Sequence, residues 1–97
     1  MIRSFADVGT EDLYHGRDTK AARRACPRPL WAVAGRKLDQ LHAAVSLDSL
    51  RIPPGNRLEA LHAGRAGQHS IRVNDQFRIC FVWTAAGPEQ VGIVDYH

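Results

Sequence analysis

Ser70-Ile71-Arg72-Val73-Asn74-Asp75-Gln76-Phe77-Arg78-Ile79-Cys80-Phe81 is the most informative stretch of the chain. Apolar and polar residues alternate on either side of a polar break, the period of half-buried strands joined by a hairpin. Ile71 and Val73 share one face of the first strand, and Phe77, Ile79, Phe81 and Trp83 share one face of the second. A two-residue loop at Asp75-Gln76 would set Val73 against Arg78, mixing apolar with charged positions. A three-residue loop, Asn74-Asp75-Gln76, sets Val73 against Phe77 and Ile71 against Ile79, so that both apolar rows meet on one buried face. The second register is therefore expected. It also places Arg72 opposite Arg78 on the other face. Like charges directly opposed on a sheet cost up to about 1 kcal/mol, and neither position carries an acid. Two facing arginines suit an anion such as a phosphate. The alternatives are that each finds its own carboxylate, or that one points to solvent.

Beyond the hairpin, strands are expected near 57–61, 69–73, 77–84 and 90–96, with Gly64 and Gly67 in the first gap and Gly87-Pro88 in the last. In the ending Val94-Asp95-Tyr96-His97, alternation puts Asp95 and His97 on one side and Tyr96 on the other. An apolar strand running directly into three polar residues marks them as candidate functional groups; a frayed terminus is the plainer reading.

The first half reads as helical. Trp31, Ala34, Leu38, Leu41 and Val45 recur at three- and four-residue steps and predict a helix over 30–45 with that stripe in the core. Ser46 can cap a further turn over 47–50, and Pro53-Pro54-Gly55-Asn56 marks a sharp loop. Thr10 is the expected N-cap of a short helix stopped by Gly16, and residues 2–5 suit a first strand. Residues 17–29 form a basic connector that is either solvated surface or a contact for RNA or a partner. Helices segregated from strands predict an α+β fold, a small antiparallel-rich sheet with N-terminal helices on one face, in a single domain over 1–97.

The net charge is +3 and the pI about 9.3. All of the 13 basic residues except Lys20 and Lys37 are arginine. A guanidinium matches phosphate geometry and stacks on bases, so the surface favours a polyanion; a GC-rich gene would give the same bias. Cys26 and Cys80 have no metal-ligand spacing, and Cys80 in its apolar run reads as a buried thiol. No metal or other cofactor is implied. There is no apolar run suited to a signal peptide or membrane span, so the cytoplasm is the expected location.

The opening Met1-Ile2-Arg3-Ser4-Phe5, the run Gly55-Asn56-Arg57-Leu58-Glu59-Ala60-Leu61, the stretch from Gly67 to Phe81 and the final Asp95-Tyr96-His97 resemble the HigB (plasmid maintenance killer) branch of the RelE toxin superfamily. The resemblance covers nearly the whole chain and is strongest from Gly55 onward. It implies a RelE-like sheet flanked by helices and a type II toxin that cleaves mRNA on the ribosome, inhibiting translation. It further implies a helix-turn-helix antitoxin of the HigA type, which neutralises the toxin and links it to operator DNA. It places Arg72, Arg78, Asp95, Tyr96 and His97 in or near the active site. Relatives usually carry Leu-Lys-Gly-Asp-Arg where this chain has Leu61-His62-Ala63-Gly64-Arg65, so a titratable imidazole replaces the usual lysine.

The reaction implied by the resemblance is attack of the RNA 2′-OH on the adjacent phosphate, giving a 2′,3′-cyclic phosphate without a metal. Arg72 and Arg78 are the candidates for charge stabilisation. His62 and His97 are the candidate acid and base, in either order. Asp95 would orient His97 or take a proton, Tyr96 would stack on a base, and Arg57 and Arg65 would contact RNA phosphates. His69 falls on the apolar face of its strand and is expected at the core edge. The alternative activity is that of a catalytically weak relative, acting as an antitoxin-bound co-repressor or an RNA-binding module.

Overall fold

The computed structural model describes residues 1–96, so the candidate His97 lies outside the described residues. Three helices lead the chain: α1 Val8–Tyr14, α2 Lys20–Ala25 and α3 Trp31–Ala43. Short 3₁₀ turns at Asp48–Arg51 and Pro54–Asn56 carry it into a four-stranded antiparallel sheet. The strands are β1 Glu59–Ala60, β2 His69–Arg72, β3 Phe77–Thr84 and β4 Gly87–Asp95, in that spatial order. This is the α+β fold that the patterning predicts.

The hairpin takes the three-residue-loop register. Ile71 pairs with Ile79 and Arg72 with Arg78, and Val73 N–H donates to the Phe77 carbonyl at 3.0 Å. Asn74 closes the loop: its Oδ1 accepts from the N–H groups of Gln76 (2.9 Å) and Phe77 (2.7 Å), the way an Asx side chain stands in for backbone in a turn. The core forms where Ile71, Val73, Phe77, Ile79, Phe81, Val91 and Ile93 meet Leu13 of α1, Ala22 of α2 and Ala34, Leu38 and Leu41 of α3. The helices thus cover one side of the sheet and leave the arginines on the other.

Several local expectations are corrected. The N-cap of α1 is Asp7, whose carboxylate accepts from Thr10 N–H (2.7 Å) and Thr10 Oγ1–H (3.0 Å). Thr10 lies inside the helix, fully buried, and its hydroxyl also accepts from the Ile93 N–H at 3.0 Å, pinning α1 to β4. Asp7→Ala removes both carboxylate contacts and should cost about 1 kcal/mol. A urea midpoint lowered at unchanged slope is the measurement. Gly16 does end α1, with φ at +76°. Residues 2–5 form no strand. Only Phe5 bridges to β4, in parallel with Val91, because the ladder breaks where Gln90 takes φ +53°. β1 spans two residues, not 57–61, because Arg57 turns left-handed before it. The chain leaves α3 at Ala44, so Val45 is 92% exposed and contributes nothing to the core. Ser46 does not cap the following turn, whose N-cap is Leu47, although Ser46 Oγ accepts from Ser49 N–H at 3.2 Å just before it. Gly87 and Pro88 lie within β4, and the turn falls on Ala85-Ala86. A side chain at Gly87, where φ is +125°, would collide with the Met1 carbonyl, 2.4 Å from the Cβ position. Pro88 is tolerated because its carbonyl, accepting from Arg3 N–H at 2.8 Å, is the group in use there.

The basic connector is itself structured. Thr19 caps α2, accepting from Ala22 N–H at 3.1 Å while its hydroxyl donates to Asp12 Oδ2 at 2.7 Å. Arg17 Nε reaches the other Asp12 oxygen at 2.9 Å. These donors, Thr19 first and Arg17 second, hold the Asp12 carboxyl below the usual carboxylate range. No helix among the described residues is long and apolar enough to cross a membrane.

Candidate functional site

Strand alternation and register sort the polar residues of the sheet between its two sides. Ser70, Arg72, Arg78 and Cys80 share the side away from the helices, because Ser70 pairs with Cys80 and Arg72 with Arg78. Tyr96 joins that side: the Arg78 guanidinium carbon lies 6.0 Å from its ring centroid, within the range of a cation–π contact.

Arg78 is held by neutral oxygens. Its Nε donates to Ser70 Oγ at 2.6 Å, and its Nη2 donates to the Arg57 carbonyl at 2.7 Å and, at the limit, to the Ser70 carbonyl at 3.5 Å. The Arg57 carbonyl is available because Arg57 adopts the left-handed conformation, φ 47° and ψ 55°. Asn56 fixes that turn from a fully buried position. Its Nδ2 donates to Gln40 Oε1 (3.1 Å) and the Leu50 carbonyl (3.1 Å), and its Oδ1 accepts from Lys37 Nζ. A chain of contacts therefore runs from α3 through Asn56 to the backbone that grips Arg78.

Arg72 is held differently. It pairs with Asp75 in the hairpin loop, so the acid missing from the strand positions is supplied three residues on. Positive charge nevertheless gathers here. Burial depresses the Lys37 ammonium pKa most, and the charges of Arg36 and Arg72 add to the depression. On the outer side of the sheet the Cys80 thiol is almost fully buried. Burial raises its pKa, while the charges of Arg65 and Arg78 pull it down. Arg65 ends the 3₁₀ turn Ala63–Arg65, and its Nη1 donates to Gln68 Oε1 at 3.3 Å.

A family model described as RelE-like toxin of type II toxin-antitoxin system HigB matches residues 3–97. The chain belongs to the HigB-like toxin family. Toxin HigB-1 of Vibrio cholerae is 42% identical over 83 residues, covering 86% of this chain and 84% of its own. An uncharacterised protein of Haemophilus influenzae is 42% identical over 55 residues, covering 57% of this chain and 54% of its own. Membership of a type II toxin–antitoxin family gives this HigB-like chain an antitoxin as partner.

Of the residues singled out in this HigB-like sequence, the structure gathers Arg72, Arg78 and Tyr96 on the outer side of the sheet, where Arg57 contributes its backbone carbonyl. Asp95 is not with them. It pairs directly with Phe77, lines an open cleft with Phe77, Ile93 and the α1–α2 residues Asp7 and Arg24, and accepts from Gln76 Nε2 at 3.1 Å. His62 is exposed at the start of the turn that carries Arg65. His69 sits at the core edge as expected, its ring stacked 6.3 Å from Phe81. Ser70 and Asn56 were not singled out in the sequence. The hairpin register already puts Ser70 diagonal to Arg78, so Ser70 was readable; the Asn56 network depends on how α3 docks and carries no local signal.

Proposed function

We propose that this HigB-like toxin is a single-domain, ribosome-dependent endoribonuclease that cuts mRNA. The observation that carries the reading is the Arg78 guanidinium, fixed by Ser70 and the Arg57 carbonyl with Arg72 opposite and Tyr96 beside it. Preorganised cations aimed at one place favour a state in which negative charge has built up. The pentavalent phosphate formed when a 2′-OH attacks its neighbouring phosphodiester is such a state. Arg78 and Arg72 stabilise it, Tyr96 stacks on an adjacent base, and Arg57 and Arg65 hold flanking phosphates. His62 and His97 are the candidates to move protons, and Asp95 orients His97 or takes a proton itself. The products are a 2′,3′-cyclic phosphate and a 5′-OH. The nucleophile comes from the RNA, so the scheme draws on no metal. The toxin acts in the cytoplasm, and its antitoxin is of the helix-turn-helix, HigA type, which carries the toxin to operator DNA.

Mapping RNA ends after induction tests the reading. Cuts within translated codons, dependent on ribosomes and ending in cyclic phosphate, are expected; intact messages under arrested growth would overturn it. The replacement of the family lysine by His62 favours a second reading, a weak nuclease serving mainly as co-repressor. His62→Lys distinguishes the two. If the position supplies positive charge, the variant should cut several-fold faster than wild type in a single-turnover assay. Complete loss of cutting would instead assign the imidazole a proton.

A further inference from the structure

We infer that Lys37 is a positioning residue for the cleavage reaction, fixing the Arg78 guanidinium through Asn56 and the Arg57 carbonyl, an inference that rests on the nuclease reading above. Lys37 lies in the middle of α3 and is half-buried. A lysine seldom gives up water unless its ammonium is paired, yet Lys37 forms no ion pair with any described residue. Its ammonium donates instead to a neutral amide oxygen, Asn56 Oδ1. A cation is thus drawn partly out of water to meet one asparagine, with no carboxylate to offset the loss.

The contact settles which way that amide faces. An ammonium only donates, so the Asn56 atom it meets is the oxygen. Nδ2 is then turned toward Gln40 Oε1 and the Leu50 carbonyl, both at 3.1 Å. The side chain is fully buried, both ends of its amide are used, and residue 56 has one orientation. The next residue, Arg57, takes left-handed backbone, φ 47° and ψ 55°, which a residue with a Cβ does not favour. Its N–H donates to the Pro54 carbonyl at 3.1 Å, and its own carbonyl accepts from Arg78 Nη2 at 2.7 Å. Ser70 holds the other edge of the guanidinium. The helix-side ammonium therefore reaches the catalytic cation through one buried amide and one carbonyl.

Without that ammonium, Asn56 Oδ1 loses its donor and the amide is free to turn over, loosening the 56–57 turn. Arg78 keeps Ser70 and loses its second fixed edge. The guanidinium must meet a phosphate in one place, and a misplacement of about 1 Å is enough to cost roughly 100-fold in rate.

The test is single-turnover cleavage on programmed ribosomes at saturating toxin, with thermal melts to show that each variant is folded. Lys37→Met keeps the stem and removes the donor. The expected result is a rate about 10-fold lower, since Ser70 still holds one edge of Arg78, with ribosome binding unchanged. In the Arg78→Ala background the same substitution should lower the rate no further, because residues that act through one another are not additive. Lys37→Arg, which keeps a donor, should restore most of the rate. Should Lys37→Met not fold, Lys37→Gln is carried through the same cycle and read in the same way. Three results overturn the inference and leave the nuclease reading standing: cutting at the wild-type rate, an equal loss with and without Arg78, or weaker ribosome binding with the saturated rate intact. Wild-type protein that cuts nothing overturns the nuclease reading, and the inference with it.

Discussion

Arg78→Ala should slow mRNA cleavage about 1000-fold, the scale seen when a preorganised charge at a developing oxyanion is removed. The folded structure should survive. The truncation leaves Ser70 Oγ and the Arg57 carbonyl without their donor, at a cost of about 1–3 kcal/mol, against a total stability of roughly 5–15 kcal/mol for a domain of this kind. Arg78→Lys should recover little of the rate. A single ammonium cannot satisfy Ser70 on one edge, Arg57 on another and still present a planar fork to a phosphate. Single-turnover rates, read with a thermal melt of each variant, check both statements. Cleavage by Arg78→Ala at the wild-type rate would remove the hairpin from the chemistry.

The largest effect on stability is expected at Phe81. Its side chain is fully buried on β3, within the core shared by the sheet and helices. Truncation to alanine should cost about 3–5 kcal/mol in lost burial and residual cavity. That is a large fraction of what holds a small domain together, so the variant should unfold at markedly lower urea. Val45→Ala is the contrasting case: at 92% exposure it should change stability by less than about 0.5 kcal/mol. Equal midpoints for the two variants would mean that the core does not lie between α3 and β3.

What could be read in the sequence was what short-range periodicity fixes. The 70–81 hairpin has a strong alternation on both strands, and only one loop length brings its apolar rows together; the register followed, and with it the arginine pair. The helix stripe was legible as far as Leu41. It overreached to Val45 because helical spacing alone does not show where the chain turns away, and here Ala44 is already extended. Residue type alone suits Thr10 and Asp7 equally as caps, and what decides between them is the Ile93 N–H that engages the Thr10 hydroxyl from across the fold. β1 was placed but too long, since two residues of pairing leave no periodicity to measure. Asn56 was read as a loop residue, and only the docking of α3 shows it as the tie between helix and site.

The two hairpin arginines differ in what they already hold. Arg78 is gripped by uncharged oxygens and keeps its full charge for a ligand. Arg72 carries Asp75 as a built-in counter-anion. An anion arriving at Arg78 meets a guanidinium held by neutral oxygens, whereas at Arg72 it must compete with the tethered Asp75 carboxylate. The pair therefore behaves as one full cation and one muted one, and affinity for stray polyanions is lower than the count of arginines on this surface implies.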